Sequence, residues 1–417
     1  MRSWHINGER LLDDLNHLSS FGALPKGGID RPAFSPACSD ASRWLVERMK
    51  EAGLSARIDA AGNVIGRLGP GDGGAILIGS HIDTVPGGGP LDGSLGVIAG
   101  LECLRSLAES GANLDRAVEV AAFADEEGAY LSMLGSRAMT GTLTQEEVDA
   151  ARGRRGDRLA DAMAAAGLDI GKLAEAERPR QSMTNYLELH IEQGPVLESR
   201  GLDVGIVDSI IGIDVAEYTL FGQARHAGTT PMGERRDAGR AAAEAIVHAF
   251  DDLDLRAVPE ARITFGDIEI RPGASNVVPG QARILSEIRA IRLQDMRQIR
   301  QGVDSAFDSA AARHTVRLDK RALSGDVPSA MAPDMIDLIG QVCIDLDHKF
   351  MVMPSGASHD ASNFAALVPS GMIFVASRGG VSHHPDEYSE PKALVTGTNV
   401  LFETVRRLLT RTIGGNP

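Results

Sequence analysis

Two stretches dominated by apolar residues, Ala75–Ile76–Leu77–Ile78 and Val118 to Ala124, have the length of strands buried on both faces, and a third, Leu95 to Leu107, reads as an apolar helix between them. Strand, helix, strand in that order is a βαβ unit, whose crossover makes the two strands parallel. Ahead of it, Asp40 is placed to cap a helix from Ala41 to Ala52, with Trp44, Leu45 and Met49 on one face and Gly53 at its stop. Ligands of such sheets lie beyond the carboxyl ends of the strands, so the polar residues that follow each apolar run carry the interest.

The pattern changes near Ile213. From there it predicts strand Ile213–Phe221, helix Ala238–Leu253, strand Ile263–Ile270, strand Ala282–Ala290, helix Leu293–Ala312 and strand His314–Asp319. That order, β-α-β-β-α-β, is the ferredoxin-like motif. It makes residues 213–326 a second domain inserted into a first one formed by 1–212 and 327–417. After Val327 the alternation resumes with helix Pro333–Asp347, strand Met372–Val375 and helix Ala393–Leu409. An open four-stranded sheet leaves edges that a second copy of the chain can pair with.

The length of 417 residues agrees with two or three domains at ~150 residues each. Lys and Arg total 42 against 57 Asp and Glu, a formal charge of −15, which repels a phosphate backbone and removes nucleic acid as a partner. Cys38, Cys103 and Cys343 are too few and too far apart for a disulfide framework or a thiolate metal cluster. Met1 to Leu24 mixes Arg2, Glu9, Asp13 and Asp14 into its apolar residues, unlike a signal peptide, and no run reaches the ~18 apolar residues of a membrane span. A cytoplasmic chain with no membrane partner is expected.

Four polar segments then stand out. Gly79 to Pro86 with Leu91-Asp92-Gly93 brings His81, Asp83 and Asp92 to one strand end, the imidazole and carboxylate mixture that suits zinc, manganese or cobalt. Asp125-Glu126-Glu127-Gly128 follows the second strand; two adjacent Glu residues can divide the work, one holding metal and the other moving a proton. Glu188-Leu189-His190-Ile191-Glu192-Gln193 alternates polar and apolar, which reads as a half-buried strand, and Ser382-His383-His384-Pro385-Asp386-Glu387 follows the strand Met372–Val375. One metal centre accounts for all four.

At this level the sequence resembles the amidase/hydantoinase/carbamoylase family of binuclear-metal amidohydrolases, relatives of the zinc aminoacylases and carboxypeptidases. The likeness runs through Gly62–Gly66, Gly79–Val85, Leu91–Gly93, Glu126–Gly128, Gly135–Ala138, Glu188–Pro195, His226–Met232, Arg236–Ala238, Ser275–Gly280 and Ser382-His383. It implies an α/β, di-metal aminopeptidase-like catalytic domain with an inserted ferredoxin-like α+β domain serving as lid and dimerisation surface. By the same resemblance His81, Glu127, His190 and His383 are terminal ligands of two divalent ions per subunit, and Asp92 bridges them. Zinc is the first expectation, with manganese, cobalt or nickel also accepted. Asp83 would orient His81, and Glu126 would be the general base; His384 is the alternative to His383, and the Ser-His-x-Pro spacing favours His383.

His226 and Asn276 match positions that reach the substrate's carbonyl or carboxylate, often across a homodimer, with His226 assisting the oxyanion. Arg289 matches the arginine that forks onto an α-carboxylate. Gln193 and His359 would line the pocket with Ala357 and Ser358; the family commonly has glycine before that histidine, so Ser358 narrows the space. The implied reaction is hydrolysis of a linear ureido or amide C–N bond in a small anionic substrate, an N-carbamoyl-L-amino acid first. Allantoate amidohydrolase and β-ureidopropionase are the nearest alternatives. An aminoacylase or dipeptidase, or a homologue that binds metal without turnover, stand further off.

Overall fold

The computed structural model describes residues 5–71, 73–111, 113–251, 258 and 261–410. These fall into two compact units, one within Met1–Asp208 and Ala330–Pro417, the other within Ser209–Ser329, a few residues wider on each side than the stretch 213–326 read from the sequence. Among the described residues no helix is long and apolar enough to cross a membrane.

The larger unit is built on a mixed sheet whose strands run, side by side, Ser55–Ile58, Val64–Leu68, Ala117–Phe123, Ala75–His81, Met183–Ile191, Ser370–Val375 and Val204–Ile210. The middle four are parallel to one another. Their carboxyl ends therefore point the same way, and the residues that follow each of them meet at one edge. Every residue of Ala75–His81, Ala117–Phe123 and Ser370–Val375 is buried. So is nearly all of Met183–Ile191, which is not the half-buried strand its alternation suggests: Glu188 and His190 point into protein and not solvent. The helix Ser94–Ser110 is buried from Ser94 to Leu107. Its Leu95, Ile98 and Leu101 join Leu11, Leu15, Val400 and Leu401 in the main core. Each such buried aliphatic side chain contributes about 1.5–3 kcal/mol relative to exposure.

Two local expectations change. The helix read from Ala41 begins at Pro36, because Ser35 caps it by accepting from the Cys38 amide at 3.2 Å, with proline at the first position. Asp40 is an ordinary helical residue there. Arg31 is the second surprise, an arginine with no exposed surface. Its guanidinium donates to the carbonyls of Leu18 (2.7 Å), Phe21 (2.9 Å) and Ile82 (2.6 Å) and to Ser94 Oγ (3.2 Å). It thus ties the helix Gly8–Ser19 to the loop after the first parallel strand and to the start of the helix Ser94–Ser110. Four acceptors would lose their donor with it, at about 1–3 kcal/mol for each one left unsatisfied.

The smaller unit has four antiparallel strands in the order Arg317–Asp326, Gly212–Phe221, Gln281–Ala290, Arg262–Arg271. Helices Ala238–Asp251 and Leu293–Arg313 cover one face, with Ala241, Ala245, Val303 and Phe307 packed on Tyr218, Leu220 and Ile284. This is the ferredoxin-like order. The last strand starts at Arg317 instead of His314, because His314 ends the preceding helix by donating its amide to the Ala310 carbonyl, and it runs on to Asp326 by pairing along the whole of the first strand. The helix read to Leu253 is described to Asp251; Leu253 itself lies outside the described residues.

Candidate metal centre

The four polar segments converge at the carboxyl edge of the parallel strands. Asp92 lies at the middle. Its Oδ1 is 3.1 Å from His190 Nε2 and 3.6 Å from His81 Nε2, and its Oδ2 is 3.1 Å from His383 Nε2. His383 Nε2 in turn lies 3.5 Å from Glu127 Oε1. The residues form two potential ligand sets sharing Asp92, one of His81, Asp92 and His190 and the other of Asp92, Glu127 and His383, the ligand atoms of each within 4.8 Å of one another. Glu126 Oε2 is 3.6 Å from His81 Nε2 and belongs to neither set. Two further groupings meet the same distance test, His81 with Glu126 and Glu127, and Glu188 with His190 and His359.

Backbone geometry makes these contacts possible. Gly93 has φ 63, and a Cβ there would lie 2.4 Å from the His81 ring, so only glycine lets the Asp92 turn pass beneath that imidazole. Asp125 also sits at positive φ, and its carboxylate accepts from the amides of Ala129 (2.7 Å), Tyr130 (3.1 Å) and Leu131 (2.8 Å), which fixes the turn that presents Glu126 and Glu127. The ring nitrogens are sorted by their partners. His81 Nδ1 faces the Asp83 carbonyl at 3.0 Å and His190 Nδ1 the Ile191 carbonyl at 2.8 Å, so each Nδ1 carries a hydrogen and Nε2 is turned toward Asp92, where His190 Nε2 also accepts the Gly93 amide at 3.2 Å.

Asp83 departs from expectation. It meets His81 chiefly through its backbone carbonyl; its carboxylate is 3.7 Å from Nδ1 and instead accepts the amides of Glu126 (3.4 Å) and Glu127 (3.2 Å). One residue thereby orients the imidazole and the pair of glutamates together. His384 points elsewhere: it is exposed, and its Nδ1 accepts the Asp386 amide at 3.2 Å, so His383 is the histidine that faces Asp92.

The charges explain what the cluster lacks. Burial pushes the Glu127 carboxyl up to about 7 and raises Glu126 well above its ordinary range, the latter also against Asp360, Glu127 and Asp83. Hydrogen bonding to Asp92 lifts His383 to about 9, and Asp92 stays well below the usual range because three imidazoles outweigh its burial. Burial first, and neighbouring acids second, keep protons on the two glutamates, and a bound cation would offset both effects. Gln193 adds a second sign: its Nε2 donates to Asp92 Oδ2 at 2.9 Å, while its buried Oε1 has no partner among the described residues. A donor set of imidazoles around a shared carboxylate, with acids awaiting a cation, fits divalent metal.

Three residues beyond the sequence candidates complete the surroundings. Glu387 Oε1 accepts the amides of Leu91 (2.8 Å) and Asp92 (3.0 Å), and its Oε2 accepts from Ser382 Oγ (2.9 Å), which also reaches Asp92 Oδ2 (3.1 Å). It clamps the Asp92 loop to the His383 loop. Glu188, fully buried, accepts from Ser80 Oγ and Tyr186 Oη, each at 3.0 Å, and from the Ala361 amide at 2.9 Å. Asp360, lifted to about 8 by burial and by Glu188, accepts from Ser136 Oγ. The only sequence sign of Glu387 is its place in the segment that carries His383.

His359 lies against His190 with ring centroids 4.6 Å apart, its Nε2 2.9 Å from Ser355 Oγ. Ala357 donates its amide to the same Ser355 Oγ at 3.2 Å, and Ser358 is half-buried beside it in sequence. The remaining candidates lie in the smaller unit. His226 and Val277 pair across a short two-stranded ribbon, and the Ala227 amide donates to the Asn276 carbonyl at 2.9 Å. His226 is exposed, and its Nδ1 accepts the amides of Gly228 (3.1 Å) and Thr229 (3.3 Å), which leaves the hydrogen on Nε2. Arg289 stands on the strand Gln281–Ala290 and donates through Nε to Glu287 at 2.7 Å.

Comparison with known proteins adds the following. Residues 77–407 match the model of peptidase family M20/M25/M40. The N-carbamoyl-L-amino acid amidohydrolase of Geobacillus stearothermophilus is 39% identical over 408 residues, covering 97% of this chain and 99% of that protein. The allantoate amidohydrolase of Escherichia coli K12 is 36% identical over 403 residues, covering 93% of this chain and 95% of the other. Among solved structures, an amidase of the hydantoinase/carbamoylase family from Burkholderia phymatum superposes with a TM-score of 0.84 at 38% identity, covering 98% and 99% of the two chains.

Proposed function

This chain belongs to the M20/M25/M40 peptidase family, among its hydantoinase/carbamoylase amidases, and from that footing we propose that it hydrolyses the linear ureido C–N bond of an N-carbamoyl-L-amino acid, giving the amino acid, carbon dioxide and ammonia. The observation that carries the reading is the pair of ligand sets sharing Asp92, with Glu126 beside them and outside both.

His81, Asp92 and His190 would hold one divalent cation and Asp92, Glu127 and His383 the other, zinc being the first candidate. Cations bound there supply Lewis-acid polarisation of the scissile carbonyl and lower the pKa of a water. Glu126 takes the proton of the attacking water and returns it to the leaving nitrogen; its buried, acid-crowded surroundings raise its proton affinity toward that of a base useful near neutrality. Asp83 holds Glu126 and Glu127 by their amides, so the base and a ligand keep fixed spacing. His226, with its hydrogen on Nε2, donates to the developing oxyanion, an interaction worth about 3–4 kcal/mol in comparable sites. Arg289 forks onto the substrate's α-carboxylate, Asn276 assists it, and Gln193, Ala357, Ser358 and His359 border the reacting group. The smaller unit serves as lid and as the surface of a homodimer.

Cleavage of the C–N bond releases the amino acid and leaves carbamate, which breaks down to carbon dioxide and ammonia. Metal-stripped and reconstituted protein tests the reading, with ammonia release measured on N-carbamoyl-L-amino acids, N-carbamoyl-β-alanine and allantoate, and release of free amino acid measured on N-acetyl amino acids and dipeptides. Release from the carbamoyl amino acids and dependence on added metal are expected. Hydrolysis of the acetyl or peptide substrates alone would overturn it in favour of an aminoacylase or dipeptidase.

A further inference from the structure

A cleft of about 640 Å³ opens in the larger unit at Glu127, inside the ~300–1,000 Å³ range of small-ligand sites. Its lining includes Phe34 and Tyr130, tilted against each other with ring centroids 6.1 Å apart, together with Pro36, Val85 and Pro86. Phe34 is held at φ 60, a left-handed backbone that bulky residues adopt at a cost of order 1–3 kcal/mol, and it lines the same cleft as Glu127. Positive φ on an aromatic residue lining a cleft points to a side chain placed for use.

The polar groups of that lining are already engaged. Tyr130 Oη donates to Asp157 at 2.5 Å, Thr84 Oγ1 meets the Ile29 carbonyl and the Arg31 amide, and Ser35 Oγ caps a helix. A second ureido arm in this space would give up hydrogen bonds to water and find few in return, whereas an apolar group gains ring contact. The lining carries four acids, Asp30, Glu127, Asp157 and Asp161, against Arg154 and Arg155, so an acidic side chain is disfavoured there.

We infer that this cleft receives the side chain of the substrate amino acid and selects N-carbamoyl amino acids with large apolar or aromatic side chains over allantoate and over acidic side chains. This deepens the ureido-hydrolase reading and rests on it.

The test compares kcat/KM for N-carbamoyl-L-phenylalanine, N-carbamoyl-L-alanine, N-carbamoyl-L-glutamate and allantoate. Wild type should prefer the phenylalanine compound. Tyr130→Ala should lower the phenylalanine-to-alanine ratio by about tenfold or more, Tyr130→Phe should keep it within about twofold, and Ala165→Trp, which fills the cleft from its exposed outer wall, should lower it as Tyr130→Ala does. The Trp variant keeps the question open to answer if Tyr130→Ala fails to fold. Equal losses on both substrates, an unchanged ratio in Ala165→Trp, or a wild-type preference for allantoate or the glutamate compound would each overturn the inference while leaving ureido hydrolysis standing. Wild-type protein that releases ammonia from none of the four would remove both.

Discussion

The candidate residues of the two units live in opposite environments. In the larger unit His81, Asp92 and His190 are almost wholly buried, touch one another, and are held by a ring of hydrogen bonds from Gln193, Ser382 and Glu387. In the smaller unit His226 and Asn276 are exposed and sit on one short ribbon, and Arg289 is half-exposed and donates to Glu287 on its own strand. Ionisable groups are crowded together out of water only where something compensates the cost, so the first region declares its chemistry within one unit. The second makes ordinary exposed polar contacts, and the role proposed for its residues is contact with substrate. The first should therefore govern metal and proton transfer, and in the second Arg289 and Asn276 should govern substrate affinity and His226 the oxyanion.

The comparison breaks most visibly at Asp92. Asp92→Ala should cost both metal ions and more than about a thousandfold in turnover, since it removes the shared ligand and unpairs three imidazoles; metal content by elemental analysis with two ions retained would contradict it. Glu387→Gln is next. Losing the carboxylate that joins the Asp92 and His383 loops should weaken metal affinity by about 10–100-fold without unfolding the chain, as read by competition with a chelator. Arg289→Lys, in contrast, should raise KM by about tenfold and leave metal content and kcat nearly unchanged, because an ammonium replaces a bidentate fork. A fall in metal content in that variant would erase the distinction between the regions.

The smallest effect is on metal-free stability. His383 is held at about 9 by its bond to Asp92, so the folded chain binds a proton that the unfolded chain releases near 6.5. That stabilisation is complete below about pH 6.5 and is lost as pH climbs through about 9. Glu127, lifted to about 7 by burial, acts in the same direction from its unfolded value of 4.5 upward. The Tm of the stripped protein should fall by a few °C, on the order of one lost kcal/mol, between about pH 6 and pH 9, and metal should reverse the loss. A Tm that is flat or rises over that range would contradict the electrostatic picture.

Much of this centre is legible in the sequence because its logic is local. Ala75–Ile78, the stretch before Asp125 and the strand before Ser377 are apolar, and the residues just beyond them are the ones that meet. The β-α-β-β-α-β order likewise gives the smaller sheet without further help. Long-range hydrogen bonding is what one-dimensional pattern hides. Nothing near Asp83 in sequence says that its carboxylate holds Glu126 and Glu127, nor that Glu387 reaches the Leu91 and Asp92 amides, nor that Arg31 joins three segments. The strand carrying His190 reads as half-buried because polar and apolar residues alternate along it; of the groups that satisfy Glu188, Tyr186 is on the same strand, but Ser80 and the Ala361 amide are more than a hundred residues away in the chain. Capping by Ser35 was hidden by the equally plausible Asp40 five residues later.

Glu126→Gln gives the most direct test of the central claim, that this residue moves the proton at a centre other residues assemble. With metal content and ammonia release from N-carbamoyl-L-phenylalanine measured on the same preparation, the account predicts two ions per chain and a loss of turnover of about 10²–10⁴-fold. Near-normal turnover, or loss of the metals along with the activity, would contradict it.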